Sequence, residues 1–211
     1  MKLTKYQHAC LTLEKDGQLL VVDPGVFTTD LPPLKNVAAI VITHAHPDHF
    51  DETKIQEITM ENPNAVVLVH SDIISLQNNT RSATPVQAGK THQVGAFELA
   101  FFGGSHAIIH ESIPPISNLG VMINNTLYYP GDSFTLPEIP VDTLAIPAAA
   151  PWLKISEAMD FLTAIKPRLA FPTHDAILSD AGKQIVDNLL SRTAQSHGIH
   201  YERIVEPIEL V

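Results

Sequence analysis

Cysteine is almost missing from this 211-residue chain: Cys10 stands alone, so no intrachain disulfide can form and no thiolate cluster can hold a metal. A reducing compartment is the expected setting. Cationic residues are also scarce, 13 Lys and Arg against 23 Asp and Glu, and the net charge of −10 opposes the neutralisation of phosphate rows that nucleic-acid binding requires. Long apolar runs are lacking. After Lys2 and Lys5, the residues His8, Thr12 and Glu14 break up the hydrophobic pattern, leaving neither a signal-peptide core nor a membrane span, and the cytoplasm is the expected location. No G-x-S-x-G elbow, P-loop, glycine- and serine-rich linker or low-complexity tract occurs, which argues against a serine nucleophile, a nucleotide-phosphate cradle and a second domain. With 45% hydrophobic residues, the chain can fill one core, and residues 1–211 are expected to form a single domain.

What the chain does have is histidine, and it is grouped. Thr43-His44-Ala45-His46-Pro47-Asp48-His49 puts three imidazoles and a carboxylate into six consecutive positions. Val37 to Ile42, just before it, is a continuous apolar run rich in β-branched residues, of the kind buried on both faces of a sheet. The cluster therefore sits at a strand's carboxyl end, where an open α/β sheet leaves its crevice, and Pro47 stiffens the turn. His44 and His46 can reach one ion while Asp48 and His49 point toward a second. Imidazoles mixed with carboxylate favour a catalytic metal site over a closed thiolate one.

Along the chain, Gln7 to Glu14 and Gln18 to Asp23 flank Lys15-Asp16-Gly17 as a β-hairpin. Asp51 caps a helix to Glu61 with Ile55 and Ile58 on one face, and strand-like Ala65 to Val69 leads to a short helix capped by Ser71. From residue 94 to 130 the apolar pattern shortens into strands, ending in a hairpin of Leu119 to Ile123 and Thr126 to Tyr129. Asp142 to Ile146 is a strand. Ala158, Phe161, Leu162 and Ile165 then follow helical spacing, Arg168 to Phe171 is extended, and Ile185, Val186, Leu189 and Leu190 mark a final long helix. The pattern predicts a layered α/β fold with two sheets between outer helices.

The heptapeptide resembles the H-x-H-x-D-H signature of the metallo-β-lactamase superfamily. Val21-Val22-Asp23-Pro24-Gly25, Gly104-Ser105-His106-Ala107, Tyr129-Pro130-Gly131-Asp132-Ser133 and Phe171-Pro172-Thr173-His174 are similar to further segments of that family, in the same order. The resemblance implies a four-layer αββα sandwich holding two divalent ions. His44, His46 and His106 would hold one, Asp48, His49 and His174 the other, and Asp132 would bridge them. Zinc leads among the ions, with iron or manganese also compatible with these ligand types. Relatives with a redox di-iron centre typically carry glutamate at the position of His46, so histidine there argues for hydrolysis. His106 and His110 both precede Asp132; His106 is preferred because Gly103 and Gly104 let the backbone turn tightly beside an ion. His110 is then a substrate contact, a residue behind the ligands, or a loop histidine. The segments around His106 and Asp132 look closest to bacterial hydrolases near the ascorbate-6-phosphate lactonase group, which suggests a small-molecule ester, lactone or phosphoester substrate.

In this class two ions activate a bridging water, and Asp48, besides holding metal, is expected to accept its proton and help pass it to the leaving group. Asp23 is expected to orient ligands, whereas Asp51, Asp175 and Asp180 read as turn or cap residues. Loops Val26 to Asn36, Ile108 to Asn118 and Pro147 to Lys154 are expected to wall the pocket. Within them Trp152 is either core packing or a substrate wall, and Lys154 either an anion contact or a solvated lysine near a helix start. His8, His70, His92, His197 and His200 lack ligand spacing, with His8 the foremost exception, and Cys10 reads as a small buried residue. Phe27, Ile108 and Ile113 would also suit a subunit contact, so a homo-oligomer is compatible with the sequence. Two other classes compete: a regulatory or scaffold protein that binds metal without efficient turnover, and a single-strand nuclease, for which the required basic or aromatic track is missing.

Overall fold

The structure is a computed structural model that describes residues 1–74 and 83–211. The first half contains β1 (Lys2–Lys5), β2 (Leu11–Lys15), β3 (Gln18–Val22), β4 (Val37–Ile42), α1 (Glu52–Glu61), β5 (Val66–His70), α2 (Ser71–Ile74) and β6 (Thr84–Val86). After it come β7 (Thr91–Val94), β8 (Phe97–Gly103), β9 (Leu119–Ile123), β10 (Leu127–Tyr129) and β11 (Thr143–Pro147). The chain closes with α3 (Ile155–Ile165), β12 (Leu169–Thr173), α4 (Asp180–Ser196), β13 (His200–Tyr201) and β14 (Ile208–Glu209). Strands pair as two seven-stranded sheets, β14-β1-β2-β3-β4-β5-β6 and β13-β12-β11-β10-β9-β8-β7.

Period-2 alternation sorts the strand side chains into three apolar layers. Leu20 and Val22 of β3 and Ala39 and Val41 of β4 meet Phe97, Leu99 and Phe101 of β8 and Phe171 of β12 between the sheets. Val21, Ile40 and Ile42 face the other way, onto Ile55 and Ile58 of α1. On the far side Leu144, Ile146 and Ala170 pack under Phe161 and Leu162 of α3 and Leu190 and Ala194 of α4. The result is the four-layer αββα sandwich, with β4 parallel to both neighbours and almost wholly buried, as its apolar run requires.

Local chemistry sets the connections. Asp16 and Gly17, at φ 52° and 72°, make the tight β2–β3 turn, and Asn124 and Asn125, at 49° and 51°, make the β9–β10 turn. Asp51 caps α1 by accepting from the amides of Thr53 and Lys54. Two expectations shift. Strand β2 begins at Leu11 rather than Gln7, because the Tyr6 amide bonds the Cys10 carbonyl and closes a turn across residues 6–10. Ile185 is 61% exposed, so the buried side of α4 runs through Leu190 and Ala194 instead. Ser71 opens α2 itself. Among the described residues, no helix is long and apolar enough to cross a membrane.

Candidate metal centre

One rim of the sandwich collects the carboxyl ends of five strands. From β3 comes Asp23, from β4 the segment Thr43 to His49, from β8 His106 beyond Gly103 and Gly104, from β10 Asp132, and from β12 His174. The tight turn between β1 and β2 adds His8. Asp23, His8, His44 and His49 are fully buried, and His106, Asp132 and His174 are each 3% exposed. His46 and Asp48 are only partly covered, which places the mouth on their side.

Among the described residues, ligand atoms converge in three overlapping groups within which every separation is at most 4.8 Å: His44, His46, His106 and Asp132; His8, Asp48, His49 and His174; and Asp23, His44 and His49. Asp132 lies between the first two. Its Oδ2 is 3.3 Å from His106 Nε2 and 3.2 Å from His174 Nε2, and its Oδ1 is 3.1 Å from His49 Nε2. All seven residues expected as ligands are thus brought together. His106 is the third histidine of the first group, whereas His110 is exposed and its Nδ1 bonds Ser112. Lys154 is exposed at the start of α3 with no bond to the cluster.

The ring nitrogens show what the groups are built for. Asp23 Oδ2 takes the Nδ1–H of His49 at 2.7 Å and the hydroxyl of Thr43 at 2.6 Å, while its Oδ1 takes the Thr43 amide. Because the Thr43 hydroxyl donates to Asp23, its oxygen accepts the Nδ1–H of His44 at 3.0 Å. The Nδ1–H of His106 goes to the Ala107 carbonyl at 2.6 Å, and that of His174 to the Ala149 carbonyl at 2.5 Å. Four rings therefore have Nδ1 engaged as a donor, which in the neutral imidazole leaves Nε2 as a bare lone pair. Those four Nε2 atoms and Asp132 Oδ1 are buried without hydrogen-bond partners. Buried polar atoms in that state are costly, and a cation at their common focus removes the cost. A nitrogen and oxygen donor set with no thiolate fits a catalytic divalent ion such as zinc.

Electrostatics point the same way. Burial opposes a charge on His49, but the carboxylates of Asp132 and Asp23 override it and push its pKa up to about 10. His174 rises to about 9 against burial because Asp132 and Asp48 lie beside it. Burial and the charge on His49 push His44 well below its ordinary value. Burial would raise Asp132 and Asp48, yet the surrounding histidines hold both below the carboxylate range. The buried carboxylates thus make this rim a focus of negative charge that bound cations would balance.

Several supporting residues were not legible as such. Trp152 donates Nε1–H to Asp132 Oδ2 at 2.9 Å, with its ring edge-on to Phe134, so it braces the central carboxylate. Asn118 receives the Asp132 amide and donates to the Pro130 carbonyl, fixing the turn through Gly131. Gly25 touches the Asp48 backbone so closely that a Cβ there would lie 1.8 Å from the Asp48 carbonyl oxygen. Three residues with left-handed backbones, His8, Asp23 and His174 at φ 61°, 46° and 58°, sit at the centre itself, where strain is held by surrounding structure. Beside His46 and His106 lies a small cleft of about 70 Å³ lined by Ile109, Ile113, Pro114 and Ile116. A larger hollow of about 340 Å³ between the loop at Leu31 and α1 touches none of the candidate ligands.

Comparison with known proteins agrees with this architecture. A model of the β-lactamase superfamily domain matches residues 2–174. The chain is 35% identical over 211 residues to Protein Rv0786c of Mycobacterium tuberculosis, covering 98% of this chain and 92% of that one. It is 25% identical over 200 residues to a UPF0173 metal-dependent hydrolase of Staphylococcus saprophyticus, covering 82% and 85%. The metallo-β-lactamase fold protein YhfI of Bacillus subtilis matches it in fold with a TM-score of 0.72 at 16% identity, covering 96% and 95%. With the family model spanning most of its length, the chain belongs to the metallo-β-lactamase superfamily.

Proposed function

We propose that the protein is a metal-dependent hydrolase that uses two divalent ions, zinc foremost, against an ester, lactone or phosphoester bond in a small molecule. His44, His46 and His106 would hold one ion, Asp48, His49 and His174 the other, and Asp132 would stand between them. The hydrolase reading follows the family, to which the staphylococcal metal-dependent hydrolase is related. The observation that carries the centre is the set of four buried Nε2 lone pairs converging with no partner.

Bound ions would supply the chemistry common to such sites, lowering the pKa of water toward neutrality and polarising a carbonyl or phosphoryl oxygen. The chain's own residues do the rest. Asp48, whose side chain is 21% exposed at the mouth, would take a proton from the attacking water and return it to the leaving group. Asp23 and Thr43 fix the rings of His44 and His49, while Trp152 and Asn118 fix Asp132, so the ligands need little reorganisation. The apolar cleft beside His46 takes a small hydrophobic part of the substrate. His110 and Lys154 are proposed as polar contacts to the substrate, and the ring of Trp152, whose N–H is held by Asp132, as a wall.

Elemental analysis combined with turnover on ester, lactone, thioester and phosphodiester panels, before and after chelation, tests the reading. Near two ions per chain with turnover that vanishes on chelation and returns with metal is expected. Two ions without turnover on any panel would favour a regulatory role, and no ion after reconstitution would overturn the centre.

A further inference from the structure

His8 is the one histidine of the cluster that expected ligand patterns do not use, although its ring lies within reach of Asp48, His49 and His174. We infer that His8 is a positioning residue, which donates its Nε2–H to Asp48 and sets that carboxylate against the second ion without binding metal itself. The inference rests on the dinuclear reading above.

Which ring nitrogen carries the proton decides whether an imidazole here can bind a cation. His44, His49, His106 and His174 each give Nδ1–H to an oxygen, which frees Nε2. His8 is wired the other way: its Nδ1 faces the backbone amide of Ala176 at 3.3 Å, and an amide N–H can only donate. Nδ1 is therefore the acceptor, and the single proton of the neutral ring is on Nε2. That atom lies 3.0 Å from Asp48 Oδ2. A protonated Nε2 has no lone pair for a cation, so the ring is a donor to a ligand and not a ligand.

The placement is rigid. His8 is fully buried, its backbone is left-handed at φ 61°, and its carbonyl accepts the His174 amide at 3.0 Å. Its ring centroid is 4.0 Å from that of His174 and meets Phe27 edge-on. Asp48 follows a strand of the first sheet and His174 a strand of the second, so His8 ties together two proposed ligands of one ion that come from opposite sheets. Its hydrogen bonds reach Asp48, His174 and Ala176, and none reaches His44, His46 or His106.

Stepwise Zn²⁺ affinities of the full-length wild type, His8→Ala and His8→Gln, measured by chelator competition, test this directly. His8→Ala is expected to weaken the second ion roughly 10- to 100-fold, the range for loss of a residue behind a metal ligand, and to leave the first within about twofold. His8→Gln keeps a neutral N–H donor of similar reach and is expected to recover most of the loss. If His8→Ala does not fold, His8→Phe removes the donor while keeping a ring, and takes its place. Equal losses in His8→Gln and His8→Ala would mean that His8 binds the metal and would overturn the inference. Equal weakening of both ions would reduce His8 to general packing, and unchanged affinities would remove any role; either result overturns it as well. A wild type that takes up no second ion would sink the dinuclear reading and this inference with it, whereas two ions bound with equal affinities in wild type and variants would sink only the role of His8.

Discussion

Asp23 never touches the proposed ions, yet replacing it with asparagine should disable both. Its Oδ2 accepts two hydrogen bonds, one from His49 Nδ1–H and one from the Thr43 hydroxyl, and through that hydroxyl it also fixes the tautomer of His44. In Asp23→Asn, Oδ1 is best kept as the carbonyl that accepts the Thr43 amide, which turns an NH2 toward two former donors. Each donor must then reverse. His49 accepts at Nδ1 and moves its proton to Nε2, and Thr43 accepts from the amide and donates to His44, moving that proton to Nε2 too. Two ligand lone pairs are lost, one per ion. Loss of such a supporting bond costs roughly 10- to 100-fold in metal affinity, or about 1.4–2.7 kcal/mol per ion by the usual conversion. Donors left unpaired instead would each cost about 1–3 kcal/mol of stability. Chelator competition gives the two affinities, and NMR of the imidazole nitrogens in the zinc-loaded protein reports the tautomers. Both ions held within twofold of wild type, with Nδ1 still protonated on His44 and His49, would refute the relay through Thr43.

Other perturbations follow from single contacts. Gly25→Ala drives a methyl into the Asp48 carbonyl, so the loop must move; a loss of about 1–3 kcal/mol in urea unfolding is expected, and wild-type stability would show that the contact yields. Trp152→Phe keeps a ring beside Phe134 but removes the donor to Asp132; a bond to a charged acceptor is worth roughly 1.5–3 kcal/mol, so the chelated protein should lose stability of that order and turnover should fall as Asp132 loses its brace, and wild-type stability with wild-type turnover would remove the role. Saturating zinc at about a hundred times Kd should add roughly 2.7 kcal/mol per site, and a melting temperature indifferent to zinc and chelator would count against any bound ion. Asp175, buried beside Lys5 and Arg203, is held below the carboxylate range because those cations outweigh its burial. Its contribution is then complete above an unfolded pKa of about 3.9 and is lost as pH falls through the lower folded value. Asp175→Asn should therefore destabilise the chelated protein at pH 7 by more than at pH 3, and a gap constant across that range would refute the assignment.

Legibility in the sequence tracked how local the cause of each feature is. Strand β4 was readable because a continuous apolar run fits burial on both faces, and the turns at Asp16-Gly17 and Asn124-Asn125 because those residues accept left-handed backbones. Strands β13 and β14 were not, since two residues carry no period and owe their form to the neighbour they pair with. The quartet from His44 to His49 announced itself by density. His106, Asp132 and His174 had no local spacing and came only through resemblance to a family.

The remaining parts of the site depend on hydrogen-bond direction, which no pattern of residue types encodes. Thr43 and Asn118 are common polar residues whose roles exist only once Asp23 and Asp132 are beside them. His8 is the sharpest instance, because alternation from Gln7 to Glu14 suggested an unbroken strand, whereas the turn closed by Tyr6 and Cys10 swings the ring into the centre. Even with the ring so placed, its chemistry is set 168 positions away, by the amide of Ala176 that occupies Nδ1. An imidazole with a free Nε2 and one with a protonated Nε2 are the same letter in a sequence. What separates ligand from support at this rim is the partner on the other nitrogen, so the same test applies to His8, His44, His49, His106 and His174: an oxygen at Nδ1 frees Nε2 for metal, and an N–H at Nδ1 commits Nε2 to donate.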